Sequence, residues 1–402
     1  MKTKAIIENG FKETEIGLIP KDWQVKGFEE CIDKERISRD IKIPQGKYKK
    51  VGRYPIVDQG ASFFAGYTDD KSKLYSGCLP VIVFGDHTRI FKFVDFSFSL
   101  GADGIKLIQP KDFLNPKYFY YYLCSLTIEN KGYNRHYKYL KEKFIAFPEK
   151  PEQQKIAFVL SKIQQVIEQQ DKIIKTTKEL KKSLMNKLLT EGLHGEEQKE
   201  TEIGLMPKSW RIVELEDICR PKKEIVIPEG KGKYIYVGLE HMETGEIWLK
   251  SHGYDNEVRS AKFKFNESDV LYGKLRPYLD KAALPNLSGI CSTDIIVLTP
   301  NSKIAQHLLI YILHLNNFIE YAKATTSGTN HPRTSWNSLK RYKLALPSIK
   351  EQKEIANIIL NVDKKIFQAK SKKQTLQDLF KTMLNQLMTG KIRVKDFDFE
   401  VN

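Results

Sequence analysis

One stretch of this chain is written twice. Glu13-Thr-Glu-Ile-Gly-Leu-Ile-Pro-Lys-Asp-Trp23 returns as Glu200-Thr-Glu-Ile-Gly-Leu-Met-Pro-Lys-Ser-Trp210, changed only at Ile19/Met206 and Asp22/Ser209. A run this long marks an internal repeat, so the fold has to be a tandem duplication of one long unit. With 402 residues there is room for two domains that each bury a core.

A second repeat shows how each unit is organised. Phe147-Pro148 and Leu346-Pro347 are followed at equal distances by Glu152-Gln153 and Glu351-Gln352, then by Ile156-Ala157 and Ile355-Ala356. The offset is 199 and holds through Leu180/Leu379, Asn186/Asn385, Leu188/Leu387 and Thr190/Thr389, whereas the opening repeat has an offset of 187. The block between the two motifs has therefore grown by twelve residues, while the segment after it kept its length.

The constant segments read as helices. Ile355, Ile359, Val362, Ile366, Ala369, Lys373, Leu376, Phe380, Met383 and Leu387 step by alternating fours and threes, a heptad seam interrupted once. Ile156, Leu160, Ile163, Ile167, Gln170, Ile174, Thr177, Lys181, Leu184 and Leu188 repeat that register. Ser348 to Glu351 has capping-box spacing, Pro151 suits a first turn, and Gly192 and Gly390 mark the stops. At about 40 residues each would extend roughly 60 Å. The expectation is one antiparallel coiled coil with a pseudo-twofold arrangement, its polar entries Gln170, Thr177, Lys181 and Lys373 fixing register.

The variable blocks read as α+β. Leu79–Phe84 and Asp294–Leu298 look like buried strands, and 105–123 aligns with 295–313 at offset 190, sharing Pro110/Pro300, Tyr121/Tyr311 and Leu123/Leu313. Lys117–Leu126 and Lys303–Leu315 read as helices. The predicted boundaries are 1–148 for the first domain, 149–192 for the first helix, 193–347 for the second domain, 348–390 for the second helix and 391–402 for a tail.

Charge narrows the partner. The formal net charge is +16, and it is spread over both blocks: 22 basic against 15 acidic residues in 21–148, and 20 against 15 in 207–347. A polyanion such as nucleic acid fits this balance. No run approaches the roughly eighteen apolar residues of a membrane span, and the first eight residues lack a leader's apolar core. Cys31, Cys78, Cys124, Cys219 and Cys291 lie far apart, which suggests neither a zinc site nor a disulfide framework and points to the reducing cytoplasm.

The chain resembles the specificity (S) subunits of type I restriction-modification systems. The resemblance rests on the paired Ile-Gly-Leu-(Ile/Met)-Pro-Lys-(Asp/Ser)-Trp motifs, the Pro…Glu-Gln helix starts and the ends Leu188-Leu-Thr190 and Leu387-Met-Thr389. Gly85-Asp-His-Thr88, Gly132-Tyr-Asn-Arg-His-Tyr137, Tyr272-Gly-Lys-Leu-Arg-Pro277 and Ser327-Gly-Thr…Pro332-Arg333 add to it. It implies a non-catalytic reader of double-stranded DNA whose two target-recognition domains each bind half of an asymmetric, bipartite site. It also implies helices that set the gap and dock two methyltransferase (M) subunits carrying S-adenosylmethionine. Two restriction (R) subunits using ATP and magnesium would join them. Adenine methylation and cleavage would then belong to the partners. The competing readings are an S-like subunit serving a fused methyltransferase-nuclease, and a coiled-coil scaffold for proteins or RNA.

No active site is legible. Asn115-Pro116-Lys117-Tyr118 falls short of the Asn/Asp-Pro-Pro-Tyr/Phe loop of an adenine methyltransferase, because lysine replaces the second proline and no glycine-rich turn precedes it. A phosphate-binding loop is missing, and Asp86-His87 has no second ligand at metal spacing. Arginine to guanine, amides to adenine and amines to phosphate are the favoured contacts. On that basis the candidate DNA-binding residues are Asp86, His87, Thr88 and Arg89, with Asn134, Arg135, His136, Tyr137 and Lys138, in the first block. In the second they are Lys274, Arg276, Ser327, Thr329, Asn330, His331 and Arg333, with Trp336 as a packing anchor.

Overall fold

The computed structural model describes residues 10–33, 41–102, 104–132 and 134–398. The first eight residues, Tyr133 of the Gly132–Tyr137 motif, and 399–402 of the tail lie outside the described residues. The chain divides into two units, Met1–Asp171 with Ser371–Asn402, and Lys172–Lys370. Each is α+β and holds one domain, part of the first long helix (Lys150–Glu191) and part of the second (Ile349–Met388).

In both units a four-stranded antiparallel sheet lies between two cores. In the first unit its strands run in the order Ile32–Asp33, Ile105–Pro110, Val81–Gly85, Phe91–Val94. In the second the order is Cys219–Lys222, Ile295–Pro300, Val270–Gly273, Ala282–Ala283. Alternate side chains of a strand point to opposite faces, so Ile82 and Phe84 enter the core next to the long helices. Val81 and Val83 enter a second core against a smaller sheet. Val270 and Tyr272 against Leu271 repeat this partition. Burial on both faces explains why these strands read as unbroken apolar runs.

The smaller sheets share one signature, a short parallel pair. Ile56 and Val57 pair with Ser99 and Leu100, as Tyr236 and Val237 pair with Ile290 and Cys291. The twelve extra residues of the second block are mostly accounted for. The offset is 190 through Leu313 and 199 at the short helices Tyr137–Lys141 and Trp336–Leu339. The nine-residue gain falls where helix Asn316–Ala324 packs Phe318 and Ala322 into the core.

The repeated opening motif folds alike in both units. Phe11–Thr14 pairs with Gly17–Pro20, and Gln198–Thr201 with Gly204–Pro207. The following tryptophans, Trp23 and Trp210, are fully buried beside the end of a long helix. Gly390 and Gly192 take positive φ at those ends, where a side chain on Gly390 would strike Pro20. The motif thus closes each domain onto a helix end.

All twenty seam positions of the two helices are buried or half-buried. In the first unit Asp171 meets Lys373 and Glu152 meets Arg393, and in the second Lys181 meets Asp363 and Leu193 reaches Glu351. One helix advances as the other recedes, so the paired segments run antiparallel in each unit. Gln153 and Gln352 tie the helix starts to the domains. Their amide oxygens accept from Asn115 N–H (2.7 Å) and Ala305 N–H (2.8 Å), and their NH2 groups donate to the carbonyls of Pro148 and Pro347.

The capping box is only half formed. Ser348 Oγ accepts from Glu351 N–H at 3.3 Å, but the Glu351 carboxylate turns to Trp210 Nε1 (3.0 Å) and Leu193 N–H (3.2 Å). A buried indole N–H needs a partner more than an exposed helix end does. No helix among the described residues is long and apolar enough to cross a membrane.

Candidate nucleic-acid interface

The candidate clusters, distant in sequence, are brought together in each domain by the same device. The strand Val81–Gly85 ends in a tight turn closed by Arg89 N–H on Gly85 C=O (2.7 Å). The residues before the short helix then fasten to that turn. His136 N–H donates to Asp86 C=O (2.8 Å), and Tyr137 N–H to the Asp86 carboxylate (2.7 Å). In the second domain Thr334 N–H donates to Lys274 C=O (3.0 Å), and Arg276 N–H to Pro332 C=O (2.7 Å). A strand-end turn and a pre-helix loop thus form one surface in both domains.

Several candidates brace this surface from inside. Asp86 and His136 are buried, and His136 Nδ1 lies 3.0 Å from Asp86 C=O. A carbonyl can only accept, so Nδ1 carries the proton, and Nε2 accepts from Lys131 N–H. Thr88 Oγ1 donates to Gln59 C=O (2.6 Å), and Arg89 turns inward to Ile128 C=O (3.0 Å). Half-buried Tyr137 packs its ring on Phe28 and Phe84, and His87 is half-buried too. Asn134, Arg135 and Lys138 are exposed, with the Asn134 amide donating to Lys131 C=O.

The second domain presents more of its candidates outward. Backbone bonds in both directions between Ser327 and Arg333 close a loop with Thr329, Asn330 and His331 exposed at its tip. Arg333 forks onto Asp294 (2.9 and 3.3 Å), and that hydrogen-bonded carboxylate raises its pKa further. Lys274 is half-buried, whereas Arg276 is exposed. Arg276 and Arg89 adopt left-handed backbone, with φ of 51° and 64°, at equivalent turns. Such non-glycine residues are held by their surroundings and concentrate at functional surfaces. Trp336 packs against the core.

A third loop meets this surface in each domain, and its sequence gave no donor-rich signal. Lys92 is buried, and its Nζ donates to the carbonyls of Asp58 (2.8 Å) and Ser62 (2.6 Å). Burial lowers its pKa, with Asp58 opposing that shift. Lys281 likewise donates to Leu239 C=O (2.7 Å). Gly85 and Gly273 leave room for these loops, because added side chains would strike Gln59 and Leu239.

Among the described residues no three His, Cys, Asp or Glu side chains gather as a metal site would require. The thiols of Cys31, Cys219 and Cys291 are buried, and burial pushes each up to about 12.

Comparison with known proteins accounts for this doubled arrangement. Residues 207–378 match the family described as the type I restriction modification DNA specificity domain. The chain is 27% identical to the putative type I restriction enzyme MjaX specificity subunit of Methanocaldococcus jannaschii, over 96% of this chain and 98% of that one. The MjaVIII specificity subunit of the same organism is 25% identical, with 98% of each chain covered. The chain is thus similar to type I specificity subunits along nearly its whole length. An S subunit from M. genitalium of known structure has the same fold, with a TM-score of 0.59 at 19% identity over 91% of this chain and 96% of that one. The two domains share one scaffold and differ in the side chains exposed on it.

Proposed function

We propose that the chain is a specificity subunit, each domain of which reads one half of a bipartite, asymmetric site in duplex DNA. Two methyltransferase subunits holding S-adenosylmethionine would methylate adenine there, and two restriction subunits using ATP and magnesium would cleave, in the cytoplasm. The chain itself would have no catalytic role. The observation that supports this most is the fastening of a strand-end turn to a pre-helix loop at the same place in both domains, with different side chains exposed on each. A scaffold for proteins or RNA would not need equivalent loops to diverge in this way, and the similarity to specificity subunits along the whole chain weighs against it.

Methylome sequencing of cells carrying the chain with its methyltransferase partner tests the reading. The expected motif has two unlike halves and a fixed spacer, and one continuous motif would overturn it. Arg276→Gly keeps the left-handed turn while removing the guanidinium. It should relax one base pair of the second domain's half-site by about 1–3 kcal/mol and leave the other half unchanged. An unaltered motif would remove Arg276 from the reading surface.

A further inference from the structure

We infer that the Asp58–Phe64 loop of the first domain is a third reading element, with Phe63 and Phe64 placed to pack against a thymine methyl group. The inference rests on the DNA-reading function proposed above. Phe63 and Phe64 are 41% and 42% exposed, although a phenyl ring gains most from burial. Their rings meet edge to face at 5.1 Å, and Phe96 backs both, at 6.1 and 5.8 Å. The pair is a held apolar knob rather than a loose tip.

Its position follows from the loop's ties. Lys92 grips the loop from beneath, with Nζ reaching the carbonyls of Asp58, Ser62 and Phe63. Gln59 fixes it sideways to the strand-end turn, accepting from Thr88 Oγ1 at its carbonyl and from His87 N–H at its amide oxygen. The aromatic knob therefore continues the surface that carries Arg135 and Lys138. On its other flank Tyr67 packs against Phe64 at 6.2 Å and exchanges backbone bonds with Lys49, which exposed Lys50 and Arg53 follow. An apolar knob beside exposed cations matches a duplex groove, where methyl groups lie between rows of phosphates.

The second domain identifies the occupant. Counted from the parallel pair, its equivalent loop, which Lys281 reaches at Leu239 C=O, carries Glu243 and Thr244 where the first has the aromatic pair. A protein subunit docking equivalently on both domains would meet the same chemistry on each. Two unlike half-sites would not. The divergence of a loop held at the same place in both domains favours DNA.

The test uses the full chain with its methyltransferase partner. The wild-type methylome defines the half-site of the first domain, and Phe63→Ala/Phe64→Ala should relax one A·T position within it, roughly five- to hundredfold in preference. Duplexes with deoxyuridine replacing each thymine of that half remove the methyl group without touching the protein. One such replacement should weaken wild-type binding by a similar factor and leave the double variant unaffected. Wild-type binding that tolerates deoxyuridine at every position overturns the inference, and so does an unchanged motif in the variant. Lost assembly with the methyltransferase while residual methylation keeps its motif overturns it as well, and assigns the knob to protein docking. A continuous wild-type motif would instead defeat the functional reading on which this one stands.

Discussion

Replacing Lys181 with methionine should destabilise the second unit by about 3–5 kcal/mol, the usual loss when one partner of a buried ion pair is removed. Lys181 Nζ lies 2.6 Å from Asp363 Oδ1, and the two side chains are only 10% and 6% exposed. Tyr311, fully buried, donates to Asp363 Oδ2 at 2.8 Å. Burial, then the neighbouring carboxylate, raise the pKa of this phenol far above its ordinary value, so it stays a donor. Without the lysine, the carboxylate would keep only that one hydrogen bond in a largely buried site.

The first unit shows how the same place is filled without charge. Gln164 stands where Asp363 does, Tyr121 donates to its amide oxygen at 3.0 Å, and Phe380, the counterpart of Lys181, packs on the Tyr121 ring at 5.9 Å. The double variant Lys181→Phe/Asp363→Gln copies that arrangement. It should recover to within about 1 kcal/mol of the wild type, because exchanging a whole buried pair for packed neutral groups is often neutral. Urea unfolding of the full chain measures both. A single variant as stable as the wild type would mean that water reaches the pair.

Organisation was legible in the sequence because repeats and seams are one-dimensional signals. The offsets of 187, 190 and 199 even locate the extra helix, since nine of the twelve added residues fall between Leu313 and Trp336. Exposure was not legible. Asp86 and His136 belong to donor-rich clusters, but both are buried because a turn and a loop fifty residues apart fasten together. Glu351 has the local spacing of a capping box, yet an indole N–H 141 residues away takes its carboxylate. Phe63 and Phe64 escaped notice for the opposite reason, because aromatic residues are by default assigned to a core. Local pattern reveals which groups are available, and tertiary pairing decides which of them remain free to meet a ligand.

Arg393→Ala should destabilise the first unit by about 2–4 kcal/mol, whereas Asp22→Ser should change it by less than about 1 kcal/mol. Arg393 forks onto Glu152 at 2.8 and 2.7 Å and onto Asp22 at 2.9 and 2.6 Å. Glu152 is 6% exposed at its side chain and Asp22 52%, so the two pairs differ in how much water screens them. The second unit needs no such arginine. There Glu351 is satisfied by Trp210 Nε1 and Leu193 N–H, and serine stands in place of Asp22. One of the two differences in the repeated motif thus reflects which group satisfies the buried carboxylate.

Acid should show the screened part. The hydrogen bond from Arg393 holds Asp22 below its ordinary pKa, against a smaller opposing effect of burial. A depressed carboxylate contributes stability above its unfolded value, near 3.9, and loses it as pH falls through the lowered folded value. The stability gap between the wild type and Arg393→Ala should therefore narrow on acidification from about pH 5. Adding Glu152→Gln to Arg393→Ala removes the stranded charge and should restore most of the loss at neutral pH. If glutamine restores nothing, the loss comes from the arginine's packing on Trp23, whose ring centre lies 5.9 Å away, and not from the uncompensated carboxylate.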